Sequence, residues 1–385
     1  FMRNVQDKPV GKLFSAQPQP HCHQKTAQTA HLFSLAFLQA MANMKKRRCV
    51  AGMTEKNVSS ASAVQCELCP KRCVIAPGYS GECRIRVNID GRLLAVTYGH
   101  PCAVHVDPVE KKPLFHFLPG TLTLSLATVG CNLHCRNCQN WEISQANPEE
   151  TPAYYLPPKK IVALAQREKN CLSVSYTYTE PVVYYEYALA CAEAARAAGL
   201  RNILVTAAYV NPKPWRRLCR AVDGAHIDLK AMSERFYREN CDGELAPVLD
   251  AIVSACSAGV WVEIVNLVIP TLNDSDEMLG ALCRWLKRNV GRNVPLHFSA
   301  FHPAHLLQHL PRTPVATLLR ARDIARAEGL RYVYVGNVTV AGGEDTLCPE
   351  CGITLINRQR FAVIANRLVA GRCPECQTDI PGIWK

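Results

Sequence analysis

Three groups of cysteines are spaced for metal chemistry. The central one is Gly130-Cys131-Asn132-Leu133-His134-Cys135-Arg136-Asn137-Cys138, a C-x3-C-x2-C run. Three thiolates at that spacing can wrap one corner of a cubane iron–sulfur cluster, each ligating one iron. The fourth iron then has no protein ligand and stands open to a small chelating molecule. The competing reading is a zinc site that His134 completes, because zinc closes a tetrahedron of four ligands. The first outer group is Cys66, Cys69, Cys73 and Cys83, four thiols within eighteen residues. The second is Cys348, Cys351, Cys373 and Cys376, two C-P-E-C knuckles separated by residues 352–372, the arrangement of a zinc ribbon. Four thiolates saturate zinc and leave no open position. They also suit an auxiliary iron–sulfur cluster, and spacing does not separate the two metals. Structural zinc is the preferred reading at the C-terminal group, and the N-terminal group is the more even choice.

The elements that must position the central triad follow from the hydrophobic pattern. Residues 64–115 are punctuated by Cys, Gly and Pro. From about Thr121, strand-like runs alternate with helical ones. Strands are expected at 121–128, 171–178, 201–207, 225–229, 260–268, 295–301 and 331–335. Helices are expected at 159–169, 182–198, 245–258, 274–289 and 314–328, the second ending at Gly199 and the last at Gly329. Repeated strand–helix alternation means parallel βαβ units. The choices are an open doubly wound sheet or a full or partial (β/α) barrel. No G-x-G-x-x-G follows the first strand, which weakens the dinucleotide-fold option. The cysteine triad directly follows that strand, at the end where (β/α) barrels keep their chemistry.

Further polar residues stand at successive strand ends. Thr179-Glu180-Pro181 follows the second strand, where a Glu also suits a helix N-terminus and Pro its first turn. His226-Ile227-Asp228-Leu229-Lys230 ends the fourth strand, and Asp228 with Lys230 reads equally as a strand-end salt bridge. Val268-Ile269-Pro270-Thr271-Leu272-Asn273-Asp274 ends the fifth. His302 follows the sixth, as a site residue or a turn histidine. Asn337 follows the last.

The triad together with Cys138-Gln139-Asn140-Trp141-Glu142, Pro108-Val109-Glu110-Lys111-Lys112-Pro113-Leu114-Phe115-His116-Phe117 and Ser175-Tyr176-Thr177-Tyr178-Thr179-Glu180-Pro181 resembles the radical S-adenosylmethionine (SAM) superfamily. Within it the chain is most similar to the AmmeMemoRadiSam-system enzymes, relatives of the pyruvate formate-lyase and other glycyl-radical activating enzymes. The resemblance runs from about Cys66 to Trp384. It implies an α/β fold, a partial (β/α)6-type radical SAM barrel with small Cys-rich metal-binding modules before and after it. It also implies a [4Fe–4S] cluster on Cys131, Cys135 and Cys138. SAM would be chelated at the open iron and cleaved by one electron to methionine and a 5′-deoxyadenosyl radical, which takes hydrogen from a substrate. By position, Glu180 would meet the SAM ammonium, Asp228 its ribose or ammonium, and Lys230 its carboxylate. Residues 268–274 would form an apolar wall on the adenine, Asn337 would bond the adenine, and His302 would reach SAM or substrate. Asn137 departs from the aromatic residue usual before the third cysteine. The implied partners are a one-electron donor such as flavodoxin or ferredoxin, and AMMECR-domain and Memo-like proteins. The alternatives are an activase that installs a glycyl radical on a partner enzyme, and a non-catalytic zinc-ribbon binding protein.

The bulk numbers agree with a metalloenzyme and exclude other classes. With 385 residues, 48% apolar and 20% charged, the chain is long enough for a large core and is not globally disordered. Its net charge is +12, but residues 1–60 hold nine Lys/Arg against two Asp/Glu, and the remaining 35 and 30 leave +5. A nucleic-acid face is therefore not expected, with only Arg358, Arg360, Arg367 and Arg372 beside the C-terminal knuckles. Twenty cysteines clustered in a chain of this size read as metal sites in a reducing, cytoplasmic compartment rather than a disulfide scaffold. No run reaches the roughly 18 apolar residues of a membrane span. The expected organisation is a disordered or upstream-extended tail over 1–60, with Met41, Met44 or Met53 as candidate starts. A Cys-rich module over 61–118, a barrel over 119–342 and a ribbon-like module over 343–385 follow. A cleaved targeting peptide is the rival reading of the tail. Glu110-Lys111-Lys112-Pro113 and His116 read as a solvated turn, with a rim or partner contact as the alternative.

Overall fold

In the computed structural model, residues 62–385 are described, and the reading of residues 1–60 as a tail lies outside them. Two short antiparallel pairs open the described chain. They are β1 (Val64–Gln65) with β2 (Val74–Ile75), and β3 (Arg86–Ile89) with β4 (Arg92–Ala95). An eight-stranded sheet follows, made of β5 (Ala103–Pro108), β6 (Leu122–Ala127), β7 (Cys171–Tyr176), β8 (Arg201–Thr206), β9 (Gly224–Asp228), β10 (Trp261–Val268), β11 (Leu296–Ala300) and β12 (Val333–Gly336). Only β5 runs antiparallel, against β6.

Six helices cross over between the parallel strands: α1 (Pro158–Arg167), α2 (Tyr185–Ala197), α3 (Pro212–Cys219), α4 (Leu245–Ser257), α5 (Asp276–Asn289) and α6 (Val315–Ala327). The strands lie side by side in sequence order from β5 to β12. A doubly wound sheet reverses its order at a switch point; this one never does, so it is a partial (β/α)6 barrel. Parallel strands covered on both faces need near-continuous apolar runs, and β11 is buried at every position. The helices bury one stripe each, as Ile161, Val162 and Ala165 do on α1. Ser275 caps α5 by accepting from the Met278 N–H at 3.3 Å.

The segment after β5 is not a solvated turn. Glu110, Lys112 and His116 are buried, at 1%, 2% and 0% exposure. The chain packs across the N-terminal ends of the strands, where Phe117 and Leu118 cluster with Val109, Leu114 and Ile203. Its polar groups enter with partners, except the Glu110 Oε2 atom, which has none. Glu263 on β10 accepts from the Phe115 and His116 N–H groups at 3.0 and 2.7 Å and from His297 on β11 at 2.7 Å. Burial opposes charge on Glu263, but His297 and these amides outweigh it and hold its carboxyl at about 2. Burial pushes His116 down to about 4. Its neutral ring donates from Nδ1 to the Pro381 carbonyl and accepts at Nε2 from Tyr334 Oη. Lys112 donates to Asp107 at 2.6 Å, and burial lowers its pKa to about 8.

The C-terminal module docks on this plug. Its sheet is β13 (Thr346–Leu347), β14 (Thr354–Gln359) and β15 (Ala362–Asn366). Ile383 donates to the His116 carbonyl and accepts from the Leu118 N–H, both at 2.7 Å. Arg358, 6% exposed, donates to the Phe115 carbonyl at 2.6 Å and lies 4.3 Å from that ring's centre. This arginine is thus spent on docking and is not available to a nucleic acid.

Candidate functional site

The cysteine loop leaves β6 at Ala127 and turns at Gly130, whose φ is +96°. A Cβ there would meet the Cys83 carbonyl oxygen at 2.6 Å, so both the backbone angle and the space require glycine. The loop is then clamped by the single π-helical turn Tyr237–Cys241 after β9. The His134 N–H donates to the Cys241 carbonyl at 3.0 Å and the Arg136 N–H to the Asn240 carbonyl at 2.8 Å. Asn137, at the position where the resemblance expected an aromatic residue, accepts from the Asn240 side chain at 2.8 Å. It serves the clamp.

The three thiols are not arranged around a single ion. Among the described residues, the ligand atoms of Cys348, Cys351, Cys373 and Cys376 all lie within 4.8 Å of one another, whereas those of Cys131, Cys135, Cys138 and His134 do not. His134 turns instead to Asp242, at 3.0 Å, so zinc closed by His134 does not fit. A cubane, which offers each thiolate a separate iron, does fit this donor set. Burial pushes Cys131 well up and Cys138 up, and a hydrogen bond with Cys241, added to burial, does the same to Cys135. Loading a metal there must displace those protons.

The expected rim residues sit beside this loop. Asp228 ends β9, accepting from His226 at 2.8 Å and from Lys230 at 2.9 Å. Burial works against charge on both, but each is outweighed by the other: the Asp228 carboxyl is held below the usual range and the Lys230 ammonium above it. The Lys230 charge reaches Cys135 and Cys241. Asn266, which the sequence reading did not single out, and Asn273, from the segment read as the adenine wall, fix this strand end. Asn266 and Asn273 both donate to the Lys230 carbonyl, at 3.1 and 2.7 Å.

Glu180 lies 1% exposed beyond β7. Its carboxylate accepts from Thr206 Oγ1 at 2.6 Å, the Ala207 N–H at 2.8 Å and the Val182 N–H at 3.1 Å, tying the ends of β7 and β8 together. Desolvation raises its pKa in spite of these bonds. His302 and Asn337 follow β11 and β12. Asn337, at φ 59°, donates to the Ala300 carbonyl at 3.2 Å. Every one of these residues lies at a C-terminal strand end, on the rim that carries the cysteine loop. Cys241 is the functional candidate the sequence reading missed. It is a fourth thiol, in contact with a triad member, and its only sequence signal is that it is one more cysteine outside the motifs.

A sequence description of the radical SAM superfamily matches residues 125–285. An uncharacterized protein of Methanocaldococcus jannaschii is 45% identical over 319 residues, covering 82% of this chain and 95% of that protein. Among solved structures, the fold is similar to a domain of the pyruvate-formate lyase-activating enzyme of Bacteroides vulgatus, with 16% identity and a TM-score of 0.39 over 43% of this chain and 99% of that one. It is also similar to Streptococcus suis SuiB bound to S-adenosylmethionine, with 14% identity and a TM-score of 0.47 over 63% and 58% of the two chains. The hydrogenase maturase HydG of Carboxydothermus hydrogenoformans gives 18% identity and a TM-score of 0.44 over 58% and 55%. No described helix is long and apolar enough to cross a membrane. With the C-x3-C-x2-C loop inside the matched span and at the rim of a partial barrel, the chain carries a radical SAM superfamily domain over residues 125–285.

Proposed function

We propose that this chain is a radical SAM enzyme of the AmmeMemoRadiSam type, with Cys131, Cys135 and Cys138 holding a [4Fe–4S] cluster. The observation that carries the reading is the dispersed thiol triad on the barrel rim, with the Lys230 ammonium, held at 2.9 Å by Asp228, in electrostatic reach of Cys135. When loaded, the cluster would supply one electron for reductive cleavage of SAM, the chemistry that starts hydrogen abstraction from a substrate.

The chain's own residues bind and orient. Lys230 offers a fixed cation for the SAM carboxylate, and Asp228 keeps that cation charged and in place. Glu180, Asn337 and His302 offer polar contacts at the neighbouring strand ends. Val268 and Ile269, both buried, lie in the segment read as the adenine wall. Asn240 and Cys241 hold the cysteine loop.

The ribbon at the C-terminus is assigned zinc. A one-electron donor of the flavodoxin or ferredoxin class, and AMMECR-domain and Memo-like proteins, are the proposed partners, in a cytoplasmic setting.

The test is anaerobic reconstitution followed by dithionite and SAM. Methionine and 5′-deoxyadenosine in equal amounts are expected. Methylthioadenosine or no product, in protein carrying iron and sulfide, would contradict the reading.

A further inference from the structure

The thiols of Cys66, Cys69, Cys73 and Cys83 are arranged unlike those of the ribbon. In the ribbon, the Cys348 and Cys376 sulfurs lie 3.4 Å apart and those of Cys351 and Cys373 3.6 Å. A tetrahedron of Zn–S bonds has an edge of about 3.8 Å, so one ion explains that group. The N-terminal four are not a group within 4.8 Å of one another. They line one cavity together, spread wider than the ligands of one ion. A single zinc does not span thiols spread around a cavity, whereas a cubane presents one iron to each of four.

Two further features point the same way. Arg86 lines the cavity at 7% exposure. Its terminal nitrogens are spent on Glu186 at 2.8 and 2.7 Å, but its buried Nε–H has no partner. A buried donor is costly to leave unpaired, and a thiolate or bridging sulfide in the cavity would satisfy it. The cavity also abuts the central loop. Asn132, the residue after Cys131, lines it and is hydrogen-bonded to the Cys69 thiol. The Cys83 carbonyl packs directly on Gly130.

We infer that Cys66, Cys69, Cys73 and Cys83 hold a second [4Fe–4S] cluster, set against the Cys131 loop as its source of electrons. The inference rests on the proposed central cluster for its role, but not for its metal. A low-potential one-electron carrier protein would lose one electron to this cluster, which passes that electron to the central site. No proton moves and no bond is made or broken in the transfer.

The test is iron, sulfide and zinc per chain after anaerobic reconstitution, with electron paramagnetic resonance (EPR) of the reduced protein. Wild type should hold about eight irons and about one zinc. The triple variant Cys131→Ala/Cys135→Ala/Cys138→Ala should keep about four irons and a cubane signal that SAM does not alter. Reduced wild type should show magnetic coupling that the triple variant lacks. About four irons and two zincs in wild type would overturn the inference and leave the central reading intact. Equal iron in wild type and the triple variant would instead sink the central cluster and leave this one standing. Eight irons with two uncoupled signals would overturn the electron-supply role. The wild-type counts decide the metal even if the triple variant does not fold.

Discussion

At the residue scale, the pair Asp228–Lys230 is the most informative feature of the rim. A half-buried lysine near thiols is held firmly charged by a carboxylate 2.9 Å away. Lys230→Met should therefore weaken SAM binding at least tenfold, a loss of about 1.4 kcal/mol, while iron content stays at the wild-type level. Calorimetric titration of reconstituted protein with SAM checks this, and an unchanged dissociation constant would show that Lys230 merely closes a salt bridge. Gly130→Ala should lower the melting temperature, because it combines a strained φ with a Cβ 2.6 Å from the Cys83 carbonyl, at a cost of about 1–3 kcal/mol. A thermal melt at wild-type level would contradict that geometry.

At the element scale, the buried plug between β5 and β6 makes the fold acid-sensitive. The His116 pKa falls from its ordinary 6.5 to about 4 on folding. Between those values the unfolded chain binds the extra proton, so stability falls as pH falls. Glu263, lowered from 4.5 to about 2, works in the same direction at still lower pH. The His116 contribution is of order 3 kcal/mol above pH 6.5, lost progressively toward pH 4. Denaturant melts across that range should show the loss in wild type and a flatter profile in His116→Phe. A profile the same in both would place the acid sensitivity elsewhere.

The plug is also where the sequence was least legible. The strands of the barrel and its helices other than α3 (Pro212–Cys219), which was not expected, were readable because apolar runs and helix stops recur with fixed periods, as at Gly199 and Gly329. The rim residues were readable because strand ends can be counted. Glu110, Lys112 and His116 carry no such signal. A charged run reads as solvent-facing until partners such as Glu263, 147 residues from His116, are brought to it by the fold. Cys241 was hidden for the same reason, since its contact with Cys135 spans the barrel's central strands.

At the scale of the whole molecule, the barrel is stapled at both ends by cysteine groups. The C-terminal group holds the module that covers the plug, through Ile383, Trp384 and Arg358. Cys373→Ser should thus release the ribbon's metal and lower the melting temperature, while iron on the rim is retained. Metal analysis beside a thermal melt checks both halves, and loss of iron together with zinc would show that the rim depends on the ribbon. The N-terminal group belongs to the opposite, chemical end, packed on Gly130 and Asn132.

The central claim is that Cys131, Cys135 and Cys138 present an open iron to SAM. The most direct measurement is the EPR spectrum of reduced, reconstituted protein with and without SAM, in wild type and in Cys135→Ala. A cubane signal that shifts when SAM is added to wild type, and no SAM-responsive signal in Cys135→Ala, is the predicted result. A wild-type spectrum indifferent to SAM, or a SAM-responsive signal that survives Cys135→Ala, would contradict the account.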